Sequence, residues 1–113
     1  MSPRPLNATA LHILLVLGER RLHGYAMMEE LERRTHGALT LLPGSLYTNL
    51  ARLVEEGLVR EAPPPPYERQ GAPRRYYERT PEGRAAAECE ARRIDAVAAL
   101  ARAEGLLDGG EPS

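Results

Sequence analysis

The chain contains no phenylalanine, no tryptophan and no lysine, and Cys89 is its only cysteine. Without Phe or Trp, the one modest core that 113 residues can bury must be filled by Leu, Ala, Val and five Tyr. A single cysteine excludes an intramolecular disulfide and suits a reducing compartment; Cys89 itself reads as a buried or half-buried small hydrophobe. Long hydrophobic runs are also missing. Leu11 to Leu17 is too short to span a bilayer, and His12 interrupts it. Met1-Ser2-Pro3-Arg4-Pro5 lacks the basic-then-apolar pattern of a signal peptide, so a soluble, cytoplasmic protein with no membrane partner is expected. There is no Gly-rich phosphate loop, nucleophile elbow or carboxylate pair, which leaves an enzyme reading without support, and no cofactor is expected. His12, His23 and His36 do not share a helical face at ligand spacing, so no metal site is expected either.

Charge of one sign is scarce only in the total. The formal net charge is -1, but residues 33–84 carry nine Arg against six acids, while residues 85–113 carry three Arg against six. A chain polarised in this way can present a basic face while staying nearly neutral. Arg at every basic position favours bidentate contacts to phosphate and guanine, although a GC-rich genome produces the same bias.

What is present is a helical pattern at Pro43 to Gly57. Leu46, Leu50, Leu53 and Val54 recur at helical spacing and predict one buried stripe, while Ser45, Thr48, Asn49 and Arg52 occupy the other side. Pro43 and Gly44 supply the turn before it, and Gly57 is placed to end it in a left-handed cap. Two helices are expected ahead of it. The first runs from about Asn7 to Leu17, capped by Asn7 or Thr9, with Leu11, Leu14, Leu15 and Gly18 on or near its inner side. Glu19 to Leu22 reads as a connecting loop. The second helix opens at His23-Gly24-Tyr25, with His23 helping to start it. Its inner side is set by Tyr25, Met28, Leu31 and Glu32, with Glu29, Glu30, Arg33 and Arg34 toward water, and His36-Gly37 stops it.

After the third helix, Leu58 to Ala62 reads as a strand that Pro63-Pro64-Pro65-Pro66 must end, since proline cannot donate to a ladder. The segment through Gly71-Ala72-Pro73 becomes a long hairpin tip, and Arg74 to Arg79 the returning strand. Thr80-Pro81-Glu82 restarts helix as N-cap, first-turn proline and first-turn acid. That last helix is expected to reach Leu106 or Leu107. Its apolar stripe Ala87, Ala91, Ile94, Val97, Ala98 and Ala101, flanked by Leu100, has few partners within so small a domain, which points to a homodimer.

The expected fold is mainly α with a small β-hairpin: a winged helix-turn-helix at 6–80, a C-terminal dimerisation helix at 81–107, and flexible termini at 1–5 and 108–113. The chain resembles the PadR family of transcriptional regulators, in its small type with one C-terminal helix. The resemblance is carried by His23-Gly24-Tyr25, by Pro43-Gly44-Ser45-Leu46-Tyr47 with Leu50, Arg52-Leu53 and Glu56-Gly57-Leu58-Val59, and by Arg74-Arg75-Tyr76-Tyr77 with Thr80-Pro81-Glu82-Gly83. These blocks stand in order across most of residues 6–84. The family implies dimeric DNA-binding repressors, some of which respond to small aromatic compounds.

Two features depart from the family pattern. Arg79 stands where an apolar residue usually precedes the Thr-Pro pair, and a domain-edge position with its stem buried and its guanidinium free would accommodate it. The last helix lacks the aromatic rings that hold planar drugs in some members, so an unidentified small-molecule effector is left open, with a cleft between the last and first helices as its expected location.

On this reading the third helix enters the major groove of double-stranded DNA. Arg52, Asn49, Ser45 and Thr48 are the candidates for base edges and phosphates, with Arg52 and Asn49 foremost for base reading. The resemblance implies that Tyr47 contacts phosphate; the alternative is a core ring beneath the helix. Arg74, Arg75 and Arg69 in the wing would hold the backbone or the minor groove, the alternative being a solvated charge run. A winged-helix module that binds protein and not DNA is the competing function.

Overall fold

The structure, a computed structural model, describes residues 5–66 and 74–108. Asn7 begins the first helix: its Oδ1 accepts the Ala10 N–H at 2.8 Å, and α1 spans Ala8–Leu17. Ala10, Leu11, Ile13, Leu14, Val16 and Leu17 are all buried, too wide a distribution for one stripe, so α1 is the central helix of the core. Leu15, expected inside, is exposed. Ala8, His12 and Leu15 follow helical spacing along the one side of α1 that the core leaves uncovered, with His12 half-buried among them.

Leu22–His23 forms a short strand, β1, where a loop was expected. The second helix, α2, spans Gly24–Arg34, and the His23 Nδ1 accepts the Ala26 N–H at 3.1 Å as its N-cap. Its inner line runs through Gly24, Met27 and Leu31, so Tyr25 faces solvent and Met28 sits at the core edge. Glu30 also departs from expectation: its carboxylate is half-buried among Arg20, Arg33 and Arg34. His36 and Gly37 take positive φ of 51° and 80°, and this left-handed pair ends the helix sharply.

The third helix, α3, spans Pro43–Glu55 and buries Leu46, Leu50 and Leu53, with Val54 left exposed on its flank. Gly57, at φ 77°, closes it: its N–H donates to Val54 and the Leu58 N–H to Leu53 at 2.9 Å, the paired bonds of a Schellman cap. Strand β2 follows at Val59–Ala62 and stops where Pro63 begins; β3 returns at Tyr76–Arg79. The three strands form an antiparallel sheet in the order β1-β3-β2, with Leu22 opposite Tyr77 and Arg60 opposite Glu78. Arg60 and Glu78 are hydrogen-bonded at 2.6 Å, a cross-strand charge pair that supports the register.

Thr80 turns the chain into the last helix, α4, at Pro81–Ala103. Its hydroxyl donates to the Gly57 carbonyl at 2.7 Å and accepts the Gly83 N–H at 3.0 Å, so one side chain caps α4 and pins it to the end of α3. Gly83 is a packing requirement there, because a Cβ on it would lie 2.0 Å from the Leu58 carbonyl oxygen. Arg79 is not the free guanidinium expected. Its Nη1 donates to the Leu14 carbonyl at 3.2 Å and its Nη2 to Glu19 at 3.3 Å, so it satisfies the C-terminal end of α1.

Helix α4 ends at Ala103, short of Leu106 and Leu107, because Gly105 takes φ 77° and the Leu106 N–H folds back to Ala101. Its first turns pack on α1 and bury Gly83, Ala87 and Glu90, while most of the remainder projects. The elongation shows in the overall extents of 54 × 37 × 24 Å. No helix among the described residues is long and apolar enough to cross a membrane.

Candidate nucleic-acid interface

Leu46, Leu50 and Leu53 define the inward direction of α3, and at 100° per residue the opposite line is Gly44, Thr48, Ala51 and Glu55. All four are exposed. Tyr47 and Val54 form the flank of this line on one side, Ser45 and Arg52 on the other.

On the first flank the wing closes a cleft of about 620 Å³, lined by His23, Gly24, Tyr25, Tyr47, Arg74, Arg75 and Tyr77. Three of the expected site residues, Tyr47, Arg74 and Arg75, meet here although they are far apart in sequence. Tyr47 is 51% exposed, so it is not a core ring. Its hydroxyl lies over Gly24, where a Cβ would come within 2.5 Å of it, so the absent side chain at 24 makes the seat for the Tyr47 ring. Arg74 Nη1 lies 2.9 Å from His23 Nε2, tying the base of the wing to the start of α2. Arg75 is highly exposed and stands 3.9 Å from Glu61, a loose pair that an incoming anion can displace at little cost.

The second flank differs from expectation. Asn49 is only 9% exposed, and its amide is occupied within the protein. Its Oδ1 accepts from Asn7 Nδ2 at 2.9 Å, and its Nδ2 donates to the Ser45 carbonyl at 2.8 Å. Asn49 therefore positions α3 against α1 and is not placed to read bases; its period put it on the polar side, but α1 covers that edge. Ser45 is exposed with its Oγ 3.4 Å from Thr9 Oγ1. Arg52 is half-exposed, and its Nε donates to Glu56 at 3.3 Å. Thr48 is exposed on the central line. Arg69, the remaining wing candidate, lies outside the described residues.

Three exposed residues escaped the sequence reading: Gly44 and Ala51 on the central line, and Leu42 at the N-cap. Gly44 and Ala51 were legible, since with Thr48 they recur at intervals of four and three. Small side chains simply carry no chemical flag.

Among the dimerisation candidates, Ala87 belongs to the protomer's own core. Ala91, Ile94 and Val97 are exposed, Ala98 and Ala101 half-buried, and Leu100 is 70% exposed. Cys89 is exposed, contrary to its expected burial.

Comparison with known proteins gives this geometry a family. Among solved structures, a transcriptional regulator from Clostridium thermocellum superimposes with a TM-score of 0.71 at 22% identity, covering 82% of this chain and 88% of its own. The circadian clock associated protein Pex from Anabaena matches at 0.63 and 25% identity over 88% of each chain. Bacillus subtilis PadR, solved in complex with operator DNA, matches at 0.63 and 18% identity, over 74% of this chain and 46% of that one. No curated protein matches the sequence. The sequence model of the PadR-like transcriptional regulators matches residues 13–89. That span takes in the second half of α1, the Tyr47 cleft, the sheet and the Thr80 corner, and by it the chain belongs to the PadR-like family of transcriptional regulators.

Proposed function

We propose that this regulator acts as a homodimeric, sequence-specific DNA-binding repressor on a two-fold-symmetric operator. The observation that carries the reading is the meeting of Tyr47, Arg74 and Arg75 beside an α3 whose outer line is exposed and, from Gly44 to Ala51, carries only small side chains. The Bacillus subtilis neighbour, crystallised with operator DNA, supports the same use of this fold. The N-terminal half of α3 enters the major groove. Ser45, Thr48 and Arg52 meet base edges or adjacent phosphates, Tyr47 and Arg74 hold one backbone strand, and Arg75 reaches the backbone or minor groove.

Residues 6–80 form the DNA-binding unit and 81–107 the dimerisation segment, through the exposed stripe Ala91, Ile94, Val97 and Leu100. An effector, where one acts, binds between α4 and α1 of the paired protomers and alters the spacing of the two α3 helices.

Fluorescence anisotropy with the duplex from upstream of the protein's own gene, at two salt concentrations, tests the reading. Binding should weaken steeply with salt, each neutralised phosphate adding about 0.9 to the slope of log K against log salt. Arg75→Ala should lower that slope and weaken all sequences alike. A flat or absent response overturns DNA binding and favours a winged-helix module that binds protein.

A further inference from the structure

We propose that Leu42, at the leading end of α3, is a specificity-determining residue that reads the 5-methyl group of thymine. The inference rests on the DNA reading above and adds to it what the helix recognises.

The central line of α3 is chemically unusual for base recognition. Gly44 offers no side chain, Ala51 a methyl group, and Thr48 a methyl and one hydroxyl. Glu55 closes the line at the trailing end of the helix and can only accept hydrogen bonds, while Asn49 and Arg52 stand off the line and already have protein partners: Asn49 with Asn7 and Ser45, Arg52 with Glu56. The thymine methyl is the one apolar feature that a base edge presents in the major groove, and small or apolar side chains are its complement.

Leu42 stands exposed at the N-terminal end of the same helix. At 67% it is the most exposed large apolar side chain among the described residues ahead of α4. Leu41, immediately before it, is buried, so the outward direction of Leu42 is held by an anchored neighbour. Leu42 occupies the N-cap of α3, and no side chain caps that helix. Ser, Thr, Asp and Asn stabilise such positions, so leucine forgoes stability here. Pro43 then fixes the first turn, and at Gly44 nothing lies within 4 Å of where a Cβ would be, leaving open space beside Leu42. The other exposed apolar stripe, on α4, springs from the opposite end of α3 at the Gly57–Thr80 corner. The leading end of α3 is the part a major groove admits first.

The test begins with a duplex enriched from a randomised library by the full-length protein. Each thymine of that duplex is then replaced in turn by deoxyuridine, which removes the 5-methyl group and keeps the base pairing. Wild-type affinity should fall about fourfold at one thymine per half-site, the worth of one buried methyl group. Leu42→Ser should bind the thymine and deoxyuridine duplexes alike, near the wild-type affinity for the latter. It should also melt no lower than wild type, since serine restores the helix cap. This opposite movement of stability and discrimination separates recognition from a structural role. Indifference of the wild type to every replacement overturns the proposal, as does a penalty that persists in Leu42→Ser. Dissociation of the protein into monomers by Leu42→Ser also overturns it, since a second copy would then cover the residue. If no duplex is enriched at all, the DNA reading itself fails, and the missing binding distinguishes that result from the others.

Discussion

The side-chain amide of Asn7 donates to Oδ1 of Asn49 at 2.9 Å, joining the cap of α1 to the middle of α3 across 42 residues of sequence. The Oδ1 of Asn7 accepts the Ala10 N–H, and the Nδ2 of Asn49 donates to the Ser45 carbonyl, so one chain of hydrogen bonds sets the angle at which α3 leaves the body. Asn49→Ala should cost about 1–3 kcal/mol in urea denaturation, since it removes a buried partner. Asn7→Ala should be coupled to it in a double-mutant cycle by at least 0.5 kcal/mol, on the order expected for contacting side chains. Base preference should stay unchanged; a shifted preference at one operator position would restore Asn49 as a reading residue.

Two glycines predict opposite consequences of the same substitution. Gly83→Ala drives a Cβ into the backbone of Leu58, which cannot retreat without breaking the Thr80 corner, and should destabilise the fold by about 1–3 kcal/mol or more. Gly24→Ala first meets the Tyr47 ring, whose side chain can swing away into solvent. Its thermal midpoint should move less than that of Gly83→Ala, while affinity for DNA drops as the proposed phosphate contact of Tyr47 is displaced. Equal losses of stability in the two variants would refute this division.

Acid should weaken the protein in two separate pH windows. Burial holds the His12 imidazole below its ordinary 6.5, so the unfolded chain binds more protons than the folded one as pH falls from there. The stability from a neutral His12 is complete above 6.5 and is lost on the way down through the depressed folded value. The hydrogen bond from Arg34, then those from Arg33, hold the Glu30 carboxyl below its ordinary 4.5 against the opposing effect of burial. Its contribution is complete above 4.5 and disappears at lower pH. Thermal melts between pH 7 and 3 should show both declines. His12→Gln should remove only the upper one and Glu30→Gln only the lower.

The projecting half of α4 predicts the assembly. Val97→Arg and Leu100→Arg place charge on positions already in solvent within a protomer, so the fold of each protomer should persist by circular dichroism. In the proposed dimer these charges would be buried without partners. Sedimentation at micromolar concentration should show wild type near twice 12.5 kDa and both variants as monomers. A wild-type monomer would end the dimer proposal.

The helices could be read from the sequence because their signals are local. Leu46, Leu50 and Leu53 mark an inner stripe wherever that helix packs, Gly57 ends it through its own backbone freedom, and Thr80-Pro81 starts α4 within one turn. The strand at Leu22–His23 could not be read, since two residues carry no period and exist as strand only by pairing with Tyr76 and Tyr77. The same limit applies to the burial of Asn49 and the exposure of Leu15, Tyr25 and Val54. Each sits within about a quarter-turn of a buried stripe, where the neighbouring element decides which side is wet.

Family, element order and the polar character of α3 were thus determined by the residues themselves, through spacing, caps and turn chemistry. Tertiary structure alone decided the interface. It brought Tyr47, Arg74 and Arg75 into one cleft, withdrew Asn49 into the contact with α1, engaged Arg79 at the end of that helix, and left Leu42 at the head of α3. The physical reason is that exposure and hydrogen-bond partnership are relations between elements, set by how helices and sheet pack, and no single segment contains them.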